Sequence, residues 1–352
     1  MFQNHPKYRV IHYGHDESKT DAYENVAVTN NDVLAKAYGG YNWKKEFFKH
    51  NTGDHANVTF NKNAGKEILA RKKKNDLILC FWGYGHEPAA KEANKDKDLI
   101  IVEPGIGYTK GAFAQFRCYE SYPLKATCIG LSNVRALPPQ WYWRVVPNYF
   151  DLREFNATTS NKEDWALYIG RINKDKGVDI AIDACAKAGI KLKICGQGGY
   201  EQLGLKSWPS HVEYLGYADV YKRKELMSKA RFGFLLSTYW EPFGGTGVEM
   251  MLSGCVPITT DSGAMTEYIV DGVNGFRCFT MGDILRAIRS VDVIDRSKMI
   301  KYAQNNFSLE SIKLKFERAF GDFEDIYTGR GWYEDHNRPL VGLGLDFKDL
   351  YV

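Results

Sequence analysis

The amino-acid sequence predicts an α/β protein built from two doubly wound domains with parallel sheets. Its 352 residues exceed the roughly 100–200 residues of one ordinary domain. Short β-branched runs alternate with longer helical patterns along the chain, as strands and helices do around parallel sheets. Several strand candidates, such as Phe232–Ser237, are continuous apolar runs, which is typical of strands buried on both faces.

In the first half of the chain, these patterns predict strands at Tyr8–Gly14, Asn57–Phe60, Asp76–Trp82, Asp98–Val102 and Lys125–Leu131. Helices are predicted at Asp32–His50, Gly65–Lys74, Glu87–Lys95 and Gly111–Tyr122. In the second half, strands are predicted at Trp165–Arg171, Leu192–Cys195, Val212–Tyr217, Phe232–Ser237, Val256–Thr260 and Gly275–Phe279. Helices follow at Gly177–Ala188, Asp219–Ala230, Gly247–Ser253, Met265–Val270, Gly282–Ser290 and Leu309–Tyr327.

A hinge is predicted where Val145-Val146 runs into Pro147-Asn148 and a polar stretch follows at 156–164. The expected domains are therefore residues 1–147 and residues 148–327, each close to the size of one doubly wound unit. The aromatic tail, 328–352, is too apolar to stay free in solvent. We expect it to pack back onto the first domain.

Composition narrows the class of protein. A hydrophobic content of 44%, a charged content of 26% and a net charge of +4 describe a globular chain and give no reason to expect nucleic acid as a partner. No apolar run reaches the roughly 18 residues of a membrane span, and no secretory leader is visible. The seven scattered cysteines lack a C-x-x-C motif, so we expect no zinc site and a reducing, cytoplasmic location. A monomer or weak dimer is expected.

The basic run Arg71–Lys74 is interpreted as a solvated helix end, or else a docking patch for an acidic acceptor or membrane.

Ligands of open α/β sheets bind at the carboxyl ends of strands, so a ligand site is expected in the loops that follow the predicted strands. The loop after Trp165–Gly170 contains Arg171 and Lys176 next to a predicted helix start. Two fixed cations at such a place can clamp a diphosphate, although solvated loop charges would look the same in sequence. Lys174, in the same loop, is expected to face solvent.

Two further loops are rich in glycine. Gly196-Gln197-Gly198-Gly199 follows a strand and would let a ligand approach the backbone, but it is neither a P-loop nor a G-x-G-x-x-G motif. The loop after Phe232–Ser237 places Glu241 before Pro242-Phe243-Gly244-Gly245-Thr246 and Glu249 in the first helical turn. Its backbone N–H groups suit phosphate or sugar oxygens. The alternatives are a surface turn at Glu241 and a T-x-x-E capping box ending at Glu249.

Together these segments resemble a known family. Glu241 and Glu249 are separated by seven residues, the E-x7-E arrangement of retaining glycosyltransferases of the GT-B fold, family 4 in particular. GRINKDKG upstream, EPFGGTGVEMMLSGCVPITT and GAMTEYIVDGVNGF agree with that family across roughly Val145–Tyr327. The sequence of these segments is also similar to that of glycosyltransferases from chlorella viruses.

The resemblance implies a role for each matching residue. Arg171 and Lys176 would hold the donor diphosphate, Glu249 the ribose hydroxyls and Glu241 the transferred sugar. Further donor contacts are implied for Gly170, Gly196, Gly198, Phe243, Gly244, Gly245 and Thr246. Gly263 and Glu267 lie in a matching loop, where Gly-Ala replaces the more usual Gly-Gly.

The first domain departs more from the family pattern. His86, after a middle strand, matches the position of a histidine that borders the acceptor, although a lone histidine also fits a structural hydrogen bond. The implied reaction moves a sugar from a nucleoside-diphosphate sugar to a glycan or glycoprotein hydroxyl with retention. The donor phosphate would serve as base, and neither metal nor cofactor would be required. GDP-mannose is the first donor expected and UDP-sugars are next.

Two other functions stay open on the sequence alone. A nucleotide-sugar epimerase would share the architecture and the donor site, although the E-x7-E spacing favours transfer. A non-catalytic nucleotide-sugar-binding protein would bind a donor but release no nucleotide with any acceptor. A nicotinamide dehydrogenase is disfavoured because no G-x-G-x-x-G follows the first strand.

Overall fold

A computed structural model describes residues 1–40, 42, 46, 51–132, 140–329, 331–333 and 344–351. The N-terminal half contains the strands β1 (Ile11–His15), β2 (Glu24–Thr29), β3 (Leu77–Leu79), β4 (Ile100–Ile106), β5 (Phe116–Tyr119) and β6 (Arg144–Val145). Its helices are α1 (Asn31–Tyr38), α2 (His55–Arg71), α3 (Glu87–Ala93) and α4 (Tyr122–Leu131). A parallel sheet has the order β3-β4-β5-β6, and β1 and β2 form a separate parallel pair.

The C-terminal half contains β7 (Glu163–Ile169), β8 (Lys191–Cys195), β9 (Val212–Tyr214), β10 (Ala230–Leu235), β11 (Val256–Thr260) and β12 (Phe276–Cys278). Its helices are α5 (Val178–Ala188), α6 (Val220–Lys229), α7 (Gly245–Leu252), α8 (Met265–Tyr268), α9 (Met281–Ser290), α10 (Arg296–Phe307), α11 (Leu309–Thr328) and α12 (Lys348–Tyr351). The strands form one parallel sheet in the order β12-β11-β10-β7-β8-β9.

The strand order creates one switch point in the C-terminal sheet. From β7 the chain moves outward through β8 and β9, and then returns to β10 on the other side of β7. The loops that leave β7 and β10 therefore diverge and open a crevice at the carboxyl edge of the sheet. Both strands are buried in the core, with Ala166, Leu167, Phe232 and Phe234 fully inaccessible, so the sheet fixes the start of each loop.

Helix α11 connects the two halves. Ile312, Phe316, Ala319, Phe320 and Phe323 pack against a core that includes Ile100 and Phe116 of the N-terminal sheet. The returning segment is thus α11, and the expectation that the tail packs onto the first domain does not hold for residues 344–351. Phe347 of the tail stacks on Tyr302 of α10, with the ring centroids 5.4 Å apart. Both side chains therefore belong to the core of the C-terminal half. Residues 334–343 of the tail lie outside the described residues.

The sequence patterns misassigned three elements of the N-terminal half. Asn57–Phe60 is not a strand but part of α2, because Asp54 caps that helix by accepting a hydrogen bond from Asn57 N at 2.7 Å. Lys125–Leu131 is likewise helical, in α4, which Ser121 caps in the same way. The predicted helix Gly111–Tyr122 instead contains strand β5, whose Phe116 and Cys118 are buried in the sheet.

Other differences are smaller. Strand β2 and helix α10 were missed, and α1 ends at Tyr38, where the left-handed Gly39 closes it. The remaining part of the predicted helix Asp32–His50 falls largely on residues 41, 43–45 and 47–50, which lie outside the described residues. In the basic run, Arg71 pairs with Glu24 and Glu67, and Lys72 pairs with Asp96 and Asp98. None of the helices in the described ranges has the length and apolarity needed to cross a membrane.

Candidate functional site

The loop after β7 brings Lys176 back toward the crevice. Asn173 caps a short 3-10 turn at Lys174–Lys176 by accepting from Lys176 N at 3.0 Å. Asp175 O accepts from Thr238 N at 2.9 Å, which ties this loop to the loop after β10. As a result, Lys176 is half-buried between the two loops, while Lys174 points to solvent as expected.

Lys176 and Glu241 form the centre of the site. Lys176 Nζ lies 2.9 Å from Glu241 Oε2 and 3.3 Å from Oε1. Ser237 Oγ donates to Glu241 Oε2 at 2.6 Å, and Glu241 is only 7% exposed. A buried ion pair keeps its geometry when further hydrogen bonds satisfy its polar atoms, as Ser237 does here. The interpretation of Glu241 as an exposed surface-turn residue is therefore wrong.

Two partners of this pair were not identified from the sequence. The Tyr239 hydroxyl is hydrogen-bonded to Lys176 Nζ, and the ammonium lies 4.5 Å from the ring centroid. Burial and the charge of Glu241 raise the pKa of Tyr239, so this phenol stays protonated. Ser237 and Tyr239 both lie within four residues of Glu241 in the same loop, which is the sequence signal that could have indicated them.

Arg171 is the second cation at this edge of the sheet. Its side chain is exposed and forms no ion pair with any residue that the structure describes. Tyr168 Oη donates to Arg171 O at 2.9 Å and so holds the backbone from which the guanidinium extends. An exposed guanidinium close to a half-buried ammonium is a suitable arrangement for an anion that carries two or more charges.

The glycine loop after Glu241 leads directly into α7. Gly244, in the left-handed region at φ 76°, is the N-cap, and its carbonyl accepts from Tyr268 Oη at 2.8 Å. Thr246 lies inside the helix, so the capping box that would begin at Thr246 does not exist. Phe243 is buried against Tyr268 and Phe307. The loop backbone therefore has rigid support beneath it.

Glu249 lies one helical turn into α7. Its carboxylate pairs with Arg223 of α6 at 3.1 Å and is 9% exposed. Burial raises the pKa of Glu249, and Arg223 opposes that effect. Arg223 is a further residue that the sequence did not indicate, because α6 and α7 meet only in the folded chain.

The loop at Gly196 packs closely against the backbone of the loop after β7. A Cβ atom at Gly196 would lie 1.7 Å from Gly170 O, so glycine is required at position 196 for the two loops to pass each other. Tyr214 Oη donates to the carbonyls of Gly196 and Gly198, at 2.9 and 2.7 Å. These contacts form the β8 wall of the crevice.

The loop after β11 supports Glu241 and also reaches the N-terminal half. Ala264 N donates to Glu241 O at 3.0 Å, and Gly263 packs against the same peptide group. Glu267 accepts from Tyr122 N at 2.8 Å, and Ser121 Oγ donates to Pro242 O at 2.6 Å. The β5–α4 loop of the N-terminal half is thus in direct contact with the loops after β10 and β11.

His86 takes a different position from the residues above. It precedes α3 and stacks on Phe60 at 5.4 Å with an interplanar angle of 20°. Burial lowers the pKa of His86, which favours the neutral imidazole. No described contact joins it to Arg171, Lys176 or Glu241, so the structure brings together the C-terminal candidates and leaves His86 apart.

Gly177 ends the 3-10 turn that positions Lys176, and its substitution should destabilise the fold strongly. It has φ 66°, and a Cβ atom there would lie 2.1 Å from Leu236 O. We expect Gly177→Ala to cost more than about 3 kcal/mol, or roughly 6–12 °C in Tm, through strain plus a backbone clash. Gly189→Ala is the matched control, since Gly189 has φ 69° with open space around it. Its cost should be only about 1–2 kcal/mol. Equal losses of Tm in the two variants would contradict the proposed clash.

Within the described ranges, no group of three or more His, Cys, Asp or Glu residues is arranged to hold a metal ion. The expected independence from metal stays a prediction.

Known glycosyltransferases resemble this chain in sequence and in fold. Residues 151–306 match the sequence profile of the family described as "Glycosyl transferases group 1". The chain is 26% identical over 325 residues to the uncharacterized glycosyltransferase MJ1178 of Methanocaldococcus jannaschii, covering 89% of this chain and 88% of that protein. The structure of HepE (Alr3699) from Anabaena, in complex with UDP and glucose, has a TM-score of 0.60 at 18% identity, covering 74% and 81% of the two chains. AviGT4, a glycosyltransferase of avilamycin A biosynthesis, has a TM-score of 0.58 at 18% identity, covering 75% and 78%. The chain therefore has the GT-B fold predicted from its sequence, and its similarity to group 1 glycosyl transferases lies in the C-terminal half, over residues 151–306.

Proposed function

We propose that this protein transfers a sugar from a nucleoside-diphosphate sugar to a hydroxyl group of a glycan or glycoprotein acceptor. The observation that carries the proposal is the Lys176–Glu241 ion pair beside the exposed Arg171, at the switch point of the C-terminal sheet. This is the edge at which α/β sheets bind nucleotides. The group 1 match covers the same loops.

The charges fit the chemistry of glycosyl transfer. When the bond between the sugar and the phosphate breaks, negative charge grows on the departing nucleoside diphosphate. Arg171 and Lys176 would stabilise that charge from fixed positions, which favours the transition state over the ground state. Glu241 holds Lys176 in place and would lie next to the sugar. There its carboxylate would also stabilise the positive charge that develops on the sugar ring.

The remaining donor contacts follow from the loops. The backbone of Phe243, Gly244 and Gly245 would lie against sugar and phosphate, and Thr246 would add a hydroxyl at the start of α7. Glu249 would bond the ribose, with Arg223 holding its carboxylate in position. Gly170, Gly196 and Gly198 would shape the opposite side of the donor pocket.

The acceptor would bind along the N-terminal sheet edge. Exposed aromatic side chains lie after β3, where Phe81 is 53% and Tyr84 is 57% exposed, and Tyr122 is 52% exposed at the start of α4. Flat aromatic faces suit sugar rings, so these residues support a glycan as the acceptor. His86, next to them in sequence, would border this surface.

Retention of configuration, family 4 membership, a viral source and a cytoplasmic location stay predictions from the sequence resemblance. HepE was solved with UDP and glucose, which supports testing UDP-glucose beside GDP-mannose. An epimerase is the alternative function. It would produce an epimer of the donor without any acceptor, whereas a transferase would release nucleoside diphosphate faster when acceptor is added.

A nucleotide-sugar panel tests the function directly. We expect one donor, or its nucleoside diphosphate, to raise Tm by several degrees at about 100 times its Kd, which corresponds to about 2.7 kcal/mol. Glycan acceptors should accelerate nucleotide release, and excess EDTA should leave that rate unchanged. Epimer formation without acceptor would show the alternative function, and a panel without any stabilising nucleotide would contradict the proposal.

A further inference from the structure

Tyr239 contacts both members of the Lys176–Glu241 pair. Its phenol oxygen accepts a hydrogen bond from Lys176 Nζ. Burial and the charge of Glu241 raise the pKa of Tyr239, and a hydrogen bond with the Glu241 carboxylate adds to that shift. The phenol therefore keeps its proton and donates it to Glu241, while its oxygen accepts from Lys176. The three side chains thus form a closed network at the switch point of the C-terminal sheet.

The ammonium of Lys176 has one N–H left for a ligand. A lysine ammonium has three N–H donors in tetrahedral directions. One of them bonds the Glu241 carboxylate, at 2.9 Å from Oε2 and 3.3 Å from Oε1, because two oxygens of one carboxyl group lie too close together to take separate N–H groups. A second N–H bonds the Tyr239 oxygen. Of the residues that the structure describes, none accepts from the third, and its direction is fixed by the other two.

Part of the Lys176 side chain stays accessible beside a second cation. The side chain of Lys176 is 16% exposed, although its partner Glu241 is almost fully covered. Arg171 is exposed, and it lies close enough to Tyr239 for its charge to oppose the rise of the phenol pKa. The guanidinium and the ammonium therefore border the same space. A phosphate group placed there could accept hydrogen bonds from both cations.

We propose that Tyr239 is a positioning residue, whose hydroxyl holds Lys176 with its third N–H directed to the departing phosphate of the donor. The inference rests on the proposed function and deepens it, because it names the group that orients the diphosphate-binding ammonium. A lysine side chain carries a point charge on a flexible stem, so the ion pair with Glu241 alone would leave the ammonium free to rotate. A second fixed contact removes that freedom before the donor binds.

A positioning role and a structural role of the Tyr239 hydroxyl predict different losses. In a nucleoside-diphosphate sugar, the departing oxygen belongs to the second phosphate, which a nucleoside monophosphate lacks. A hydroxyl that orients Lys176 toward this phosphate therefore affects diphosphates and leaves monophosphates unaffected. A hydroxyl that only stabilises the pocket would weaken the binding of both kinds of nucleotide to the same extent.

Tyr239→Phe, compared with Tyr327→Phe, tests this inference through the binding of UDP and UMP, and of GDP and GMP. Tyr239→Phe keeps the ring and removes the hydroxyl, so the diphosphate that binds the wild type should bind about tenfold more weakly. Its monophosphate should stay within about twofold of wild type. The kcat for transfer should also fall about tenfold, since charge on that phosphate grows in the transition state. Tyr327→Phe removes a hydroxyl that donates to Lys97 O at 2.8 Å, and it should keep both affinities.

A double variant shows whether Tyr239 acts through Lys176. When Tyr239→Phe is added to Lys176→Ala, kcat/KM should change by less than about twofold, because the ammonium that the hydroxyl positions is already absent. Two residues that act independently would instead multiply their effects. Such a product in the double variant would contradict the positioning role.

Two further results would overturn the inference. An unchanged diphosphate affinity in Tyr239→Phe would show that Glu241 alone orients Lys176, and equal losses for diphosphate and monophosphate would indicate a structural hydroxyl. Melting curves show whether each variant is folded, and Tyr239→Leu, which also lacks the hydroxyl, repeats the measurement if Tyr239→Phe is not. A wild type that binds none of the four nucleotides and transfers no sugar refutes the proposed function together with this role. A wild type that binds and transfers, with either of the two results above, refutes this role alone.

Discussion

Lys176→Ala should abolish the stabilisation by nucleoside diphosphate and lower kcat/KM for transfer by about 10²–10³-fold. The variant removes the half-buried cation that faces the crevice and leaves Glu241, 7% exposed, without its partner. An unpaired carboxylate at that place would repel the diphosphate, so binding and the rate should both fall. Thermal shift with nucleotide and the initial rate of nucleotide release measure the two effects.

Lys174→Ala is the matched control, because Lys174 belongs to the same 3-10 turn but is exposed. It changes the net charge equally, so it accounts for any general electrostatic effect. Its Kd and kcat/KM should stay within about twofold of wild type. If Lys174→Ala and Lys176→Ala weaken binding to the same extent, the diphosphate is not held at Lys176.

The sequence predicted the C-terminal sheet well because its strands are buried on both faces. Phe232–Leu236 and Val256–Ile258 are short apolar runs, and their length and their aromatic or β-branched residues favour strands over buried helices. The errors in the N-terminal half have a common cause. Val58-Thr59 and the apolar stretch Lys125–Leu131 look like strand segments, but the caps Asp54 and Ser121 begin helices there. Capping residues act on backbone N–H groups, and their effect exceeded local β propensity.

The sequence could predict which residues of each single loop belong to the site, but not which of them contact each other. Arg171, Lys176 and Glu241 follow strands that meet at the switch point, so the sheet rule brings their loops together. Which charges pair within that set depends on the tertiary structure. Lys176 pairs with Glu241, and Glu249 pairs with Arg223. Neither of these two pairs leaves a spacing that a sequence pattern could reveal.

Glu241→Gln should separate binding from catalysis. The amide keeps the volume of the side chain and can still bond Ser237, but it no longer neutralises Lys176, which lies 2.9 Å from the carboxylate. Lys176 would then attract a diphosphate more strongly. We expect Kd for the nucleoside diphosphate to stay equal or become tighter, while kcat for transfer falls by about 10²–10³-fold.

This split follows from where Glu241 acts. A residue that bound donor and transition state equally would change KM alone, whereas a carboxylate that stabilises the sugar ring as charge develops changes kcat. Ser237→Ala supplies the graded comparison, because it removes one hydrogen bond to Glu241 and keeps the charge. Its kcat should fall by only about tenfold, in line with the roughly 1.4 kcal/mol of one such bond. If Glu241→Gln instead weakens nucleotide binding and leaves kcat unchanged, Glu241 orders the empty pocket and has no contact with the reacting sugar.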